Sequence, residues 1–284
     1  VVGKGQAAIR LLEETLENLK IAENVVLVAS TANDPPGLVY ITPYVAMAIA
    51  EYFRDQGRDV FLALDDLTLH AQAYRELSLL ARRYPGRDSY PGDIFYVQSR
   101  LLERAGNFKS ASGERAITCF PVVETVGGDF ASYISTNIMS MTDGHIFFDA
   151  GLFAEGRRPA ADPFLSITRL GLQVQPQLNL QIFKEITVFL QKTKQLHAFA
   201  SFGAELGEEV QKILWKEKQL WEFFDQTEYD STPLSAQLFI FACIWGGLWE
   251  KKSLSDMKAL LIRKIISDYE FDGEFRQKVD LAAR

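Results

Sequence analysis

Apolar positions along this chain recur at two spacings, and the change between them divides it. Early on, short continuous apolar runs alternate with helical stripes. Ile9, Leu12, Leu16 and Leu19 fall on one face of a helix over Gln6 to Lys20, and Asn24 to Ser30 is a Val-rich run of the kind buried on both faces of a parallel sheet. Thr42-Pro43 is placed to open a helix reaching Gln56, since proline is tolerated in a first turn. Asp59 to Leu64 repeats the buried-strand pattern and stops at Asp65-Asp66. Leu67, Ala71, Tyr74, Leu77 and Ala81 then stripe another helix. This rhythm predicts βαβ units and a parallel sheet.

Tyr84 to Asp93 holds two Pro-Gly pairs and reads as an ordered surface loop, followed by a helix over Ile94 to Ala105. Asn107 to Arg115 is polar and glycine-containing and reads as a mobile connection. Strand signals return at Ala116 to Glu124, Gly144 to Phe148 and Phe164 to Thr168. From Pro176 onward the period is helical throughout. Leu178, Ile182, Ile186, Phe189 and Leu196 form one stripe, and Val210, Ile213, Leu214, Leu220 and Phe224 another. Thr232-Pro233 reads as an N-cap pair, and Ser253 with Asp256 as a capping box. The expected architecture is α/β, with a nucleotide-domain-like part over 1–174 and an all-α helical bundle over 175–284.

Composition narrows the function classes. A net charge of −7 and a pI near 5.2 leave no basic excess for nucleic acid. Two cysteines, Cys119 and Cys243, make neither a disulfide framework nor a four-cysteine zinc site, so a reducing compartment is the default. The run Leu238 to Trp245 is too short to span a bilayer, which takes about 20 residues. The start, Val1-Val2-Gly3, carries no Met and no leader pattern, and reads as a strand that has been cut.

Candidate chemistry gathers at a few positions. Asp65 ends an apolar strand, where α/β sheets bind ligands and where a Walker B carboxylate holds Mg²⁺ directly or through water. A strand-end Asp is more often a helix cap or a turn residue. Lys4, between two glycines, fails the G-x-x-x-x-G-K-[ST] pattern and reads as an ordinary turn residue. Arg169 follows a strand-like run. It is either a surface or interdomain ion-pair partner or an arginine finger, a planar cation offered to a transferring phosphoryl group. His70, His145 and His197 have no metal-site spacing, and no nucleophile elbow is present.

Four blocks read together are more specific. They are Glu51-Tyr52-Phe53-Arg54-Asp55; Asp65-Asp66-Leu67 with Ala73-Tyr74-Arg75; Tyr90 to Tyr96 with Ser99-Arg100-Leu101-Leu102-Glu103-Arg104-Ala105; and Thr142-Asp143-Gly144. In these blocks the chain resembles the alpha subunit of the rotary F-type ATP synthase. The resemblance implies a RecA-like P-loop NTPase core followed by a helical domain, cut from a longer chain with an N-terminal barrel and a phosphate loop. It implies alternation with beta subunits in a hexamer around a central rotor shaft, on the cytoplasmic face of a membrane that the chain does not enter. The role implied is non-catalytic, supporting ATP synthesis or hydrolysis coupled to H⁺ or Na⁺ transport.

The resemblance also assigns residues. Arg169, in Ser166-Ile167-Thr168-Arg169-Leu170-Gly171, becomes a finger acting in trans, and Ser140 faces the same neighbouring site. Asp65 becomes the Mg²⁺-side aspartate of the chain's own pocket. Arg158, Pro159 and Gln226 lie by the adenine, and Pro85, Gly86, Arg87 and Asp93 belong to the loop around the rotor tip. ATP or ADP with Mg²⁺ is the implied ligand of the full-length subunit, bound weakly or not at all by these 284 residues, which are expected to be inactive alone. Departures are Lys4 where the alpha family has Gln, Glu228 for a second glutamine near the base, Ser135 for a proline, Thr168 for a serine, and Leu172 to Gln175 after the finger. They point to a divergent branch, with the alternate or N-type ATPases one candidate. The competing reading is another hexameric motor, a helicase or an export ATPase.

Overall fold

The computed structural model describes residues 1–110, 113–200, 207–226, 232–249, 257 and 262–282. They form two compact units, Val1–Thr142 and Asp143–Arg284. The sequence reading instead draws its boundary at 174/175, where the helical period begins.

In the first unit, α1 (Gln6–Asn18), α2 (Pro36–Asp55), β1 (Val60–Leu64), α3 (Leu67–Leu80), α4 (Ile94–Leu102), β2 (Gly106–Ser110), β3 (Gly113–Pro121) and α5 (Tyr133–Met141) follow in order. The sheet runs β1-β3-β2 and is mixed: β1 pairs parallel with β3 (Val60 opposite Ile117), while β2 pairs antiparallel with β3. The stretch expected as a mobile connection is therefore the β2 side of a ladder. The polar look of β2 hides one apolar anchor, Phe108, whose ring lies 4.6 Å from the Arg54 guanidinium carbon.

β1 is buried on one face only. Val60, Leu62 and Leu64 turn toward a core built with Met47, Leu67, Ile94, Leu101 and Ile117. On the other face Phe61 is 63% exposed and meets Phe120 edge-on at 4.9 Å. The run Asn24 to Ser30 forms no regular strand. Asn24 closes a 3₁₀ turn, and the rest is irregular, followed by a parallel bridge between Thr31 and Lys4. Val1 and Lys4 carbonyls accept from Ser30 and Ala32 at 3.0 and 3.1 Å, whereas Val26, 56% exposed, has no second chain alongside it among the described residues. An apolar run becomes a ladder only where its N–H and C=O groups find partners on a neighbouring strand.

α2 begins at Pro36, well before Thr42-Pro43, and Pro43 sits inside it. Pro36 takes the first-turn position, whose N–H needs no intrahelical acceptor. Immediately before the interior proline, Thr42 Oγ1 donates to the Leu38 carbonyl at 2.7 Å. α4 stops at Leu102, short of Ala105.

In the second unit come a two-stranded ribbon, β4 (Gly144–His145) and β5 (Ile167–Thr168), and the helices α6 (Ala150–Ala154), α7 (Gly171–Val174), α8 (Gln177–Ala200), α9 (Glu208–Phe224), α10 (Leu234–Trp245), α11 (Arg263–Phe271) and α12 (Gly273–Ala282). Leu220, Ile240, Ile244 and Met257 form its fully buried core, with Ile182, Ile186 and Phe189 of α8 packed against it. α10 is thus a core helix. None of the described helices is long and apolar enough to cross a membrane. Its N-cap is Pro233 rather than Thr232, whose carbonyl accepts from Gln237 Nε2 at 2.7 Å. Ser253 and Asp256 lie outside the described residues.

Candidate functional site

Asp65 and Asp66 stand where β1 hands over to α3. Asp66 is the α3 N-cap: its Oδ1 accepts from the Leu69 N–H at 2.8 Å, satisfying one of the helix's open donors. Lys4 is not an ordinary turn residue. Val2 N–H donates to the Asp65 carbonyl at 2.7 Å, which draws the N-terminal segment against the strand end. Lys4 Nζ then lies 3.2 Å from Asp65 Oδ1, 2.9 Å from Asp66 Oδ2 and 3.0 Å from Glu124 Oε1. Glu124 is delivered by β3, whose continuation donates Val122 N–H to the Leu64 carbonyl and Glu124 N–H to Thr68 Oγ1.

The electrostatics follow this geometry. Burial alone would lower the Lys4 pKa, but the hydrogen bonds it donates to Asp66, Glu124 and Asp65 raise it above its ordinary value. Burial pushes the Asp66 carboxyl up, against the pull of the Leu69 N–H and Lys4. Lys4 holds the exposed Glu124 carboxyl below the usual range. A divalent ion ligated directly by Asp65 does not fit this arrangement, because an ammonium already occupies the point on which the carboxylates converge. Among the described residues, no group of three or more His, Cys, Asp or Glu is set to hold a metal.

Arg158, Pro159 and Gln226 meet at one cleft in the second unit. Gln226 N–H donates to the Arg158 carbonyl at 2.7 Å, and Arg158 N–H to Asp225 Oδ1 at 3.2 Å. These two bonds fasten the end of α9 to the segment after α6. The cleft has a volume of about 710 Å³ and mostly apolar walls, including Phe164, Phe183 and Phe224. That is the size and character of a small-molecule site. The Arg158 guanidinium packs 3.5 Å over the Phe153 ring and donates to the Phe153 and Arg157 carbonyls. Arg157 lies 3.6 Å over Trp221. Glu228 lies outside the described residues.

Arg169 directly follows β5 and is exposed; its N–H donates to the Asp143 carbonyl at 2.7 Å. Thr168 Oγ1 accepts from Gly171 N–H at 3.0 Å, so the threonine hydroxyl ties the turn past the arginine. A Cβ on Gly144 would stand 2.6 Å from the Ile167 carbonyl oxygen, so the ribbon closes only on glycine there. Ser140, exposed in the last turn of α5, donates to the Asn137 carbonyl at 2.7 Å. It belongs to the first unit and Arg169 to the second.

Pro85, Gly86, Arg87 and Asp93 share one loop that is exposed at its tip and pinned at its base. Gly86 N–H donates to the Tyr90 carbonyl at 2.7 Å, Tyr90 is buried, and Arg83 and Tyr74 donate to Asp93 at 2.8 and 3.0 Å. Sequence reasoning missed Glu124, Trp221 and Arg157. Glu124 had a usable signal, a carboxylate just past an apolar strand, as at Asp65. The Arg157–Trp221 stack had none, since its partners are far apart along the chain.

The chain matches the model of the ATP synthase alpha/beta family, nucleotide-binding domain, over residues 1–168. It is 38% identical over 279 residues to ATP synthase subunit alpha of Clostridium botulinum (strain Eklund 17B / Type B), covering 98% of this chain and 53% of that protein. To ATP synthase subunit alpha of Aquifex aeolicus (strain VF5) it is 41% identical over 292 residues, covering 98% of this chain and 58% of that protein. The chain thus spans about half the length of the curated relatives it matches. With more than half of its residues inside the family model, the chain belongs to the ATP synthase alpha/beta family.

Proposed function

We propose that this chain serves as a non-catalytic alpha subunit of a rotary ATP synthase, with its nucleotide part over 1–174 and its helical part over 175–284. In this role it alternates with beta subunits around a rotor shaft, as a peripheral part on the cytoplasmic side of a membrane whose H⁺ or Na⁺ gradient it serves. The observation that carries the reading is the meeting of Arg158, Pro159 and Gln226 at one cleft, through the Gln226–Arg158 backbone bond of 2.7 Å. An apolar slot edged by a glutamine amide and backbone carbonyls suits a flat base such as adenine, with the Gln226 side chain free to choose donor or acceptor.

At its own nucleotide the chain does no chemistry. Lys4, held charged by three carboxylates, cannot take a proton from water. Its contribution to turnover is Arg169, presented to the neighbouring subunit's phosphates with Ser140 beside the same site. A guanidinium there offsets charge spreading over the transferring phosphoryl oxygens. Pro85, Gly86, Arg87 and Asp93 form the sleeve around the rotor.

Nucleotide retention by the assembled complex tests the cleft. Gln226→Ala combined with Pro159→Ala should lower the nucleotide that survives gel filtration by at least about tenfold, the loss expected when about 1.4 kcal/mol of binding is removed. Retention equal to that of the parent complex contradicts the reading.

A further inference from the structure

We propose that the Lys4 ammonium is the resident cation of the carboxylate cluster at the end of β1, and that it excludes divalent metal from Asp65, Asp66 and Glu124. The inference concerns the first unit alone and stands apart from the adenine-cleft and arginine-finger assignments.

Three observations carry it. The ammonium has three N–H donors, and three carboxylates approach it, at 3.2, 2.9 and 3.0 Å. Magnesium ligated here would need oxygens at about 2.0–2.1 Å around the same centre. Lys4 is not a side chain that drifts aside. Its carbonyl accepts from Ala32 N–H at 3.1 Å, its backbone bridges to Thr31, and Val2 before it is buried at 1% exposure. Finally, Asp66 is fully buried with one oxygen committed to the α3 cap, and the cation its other oxygen meets, at 2.9 Å, is the Lys4 ammonium. A tethered lysine fills that place without the dehydration that magnesium resists.

The consequence is a strand end that carries a fixed positive charge in place of a metal. Removing that charge leaves carboxylate oxygens 2.9–3.2 Å from the vacated position, which must close in by about 1 Å before they ligate a divalent ion. Lys4 is then the residue that decides between an internal cation and an exchangeable one.

Manganese, as a paramagnetic substitute for magnesium, gives the test. The free-ion electron paramagnetic resonance signal is titrated against the 284-residue chain without nucleotide. The parent chain should leave that signal intact to roughly millimolar Mn²⁺. Lys4→Gln and Lys4→Ala should each bind an ion at least about tenfold more tightly than the parent, and adding Asp65→Asn should abolish the gain. Binding by the parent chain that is lost in Asp65→Asn would overturn the proposal. So would folded Lys4 variants, verified by circular dichroism, that gain nothing. The parent titration needs no substitution, so it decides the metal-exclusion claim even where a variant fails to fold.

Discussion

His70 is buried to the last atom, its ring stacked on Tyr40 at a centroid distance of 5.2 Å. Neither ring nitrogen meets a hydrogen-bond partner within ordinary geometry among the described residues. Burial pushes its pKa down from 6.5 to about 4. Between those values the unfolded chain holds a proton that the folded chain refuses, so stability rises with pH across that window and falls on acidification. His70 alone should cost about 3 kcal/mol between pH 6.5 and 4. Denaturant melts of His70→Phe over that range should show a shallower decline than the parent, and identical slopes would refute the assignment. Glu51 adds to the acid side in the same sense. Its hydrogen bond with Arg104 holds the carboxyl low, so that contribution is present above the ordinary carboxylate pKa and lost as pH falls through the lowered one. The two effects separate because His70→Phe leaves the Glu51–Arg104 pair in place. None of this is visible in sequence: a histidine four residues after a capping Asp carries no mark of its stack, which needs α2 laid against α3.

At the scale of elements, the β4–β5 ribbon shows what a pattern can and cannot convey. The strand signals at Gly144 to Phe148 and Phe164 to Thr168 are legible, but their pairing is not, because it depends on a glycine admitting a carbonyl at close range. Gly144→Ala places its Cβ 2.6 Å from the Ile167 oxygen, a clash with backbone that cannot be relieved by rotating a side chain. It should destabilise the second unit by about 1–3 kcal/mol, read as a lower melting midpoint. It should also disturb Arg169, whose N–H is fixed to Asp143 beside Gly144. An unchanged midpoint would show that the ribbon yields. The run Asn24 to Ser30 makes the converse point. Its composition is that of a buried strand, yet a ladder is a property of two segments, and only its last residues have one alongside. The helical half is more legible because a stripe at period 3.6 identifies both element and buried face, as for Ile182, Ile186 and Phe189. Arg158 and Gln226 are readable as candidates through resemblance. Only the fold shows them bonded across the end of α9.

At the scale of the molecule, the two units own separate cores, one around Met47, Leu64 and Ile117, the other around Ile240, Ile244 and Leu220. Each large apolar side chain among these is almost fully buried, so truncation costs about 2–5 kcal/mol. Met47→Ala and Ile240→Ala should therefore lower different calorimetric transitions. Equal displacement of a single transition by both would show the units to melt as one. Division into units also bears on function. The Lys4 cluster lies wholly in the first, and the apolar cleft and Arg169 wholly in the second.

The role of Arg169 is the most direct test of the whole reading. In a complex assembled with beta subunits, Arg169→Ala should lower multisite ATP turnover by a factor on the order of 10³–10⁵ while leaving assembly intact. Turnover equal to that of the parent complex would contradict the account.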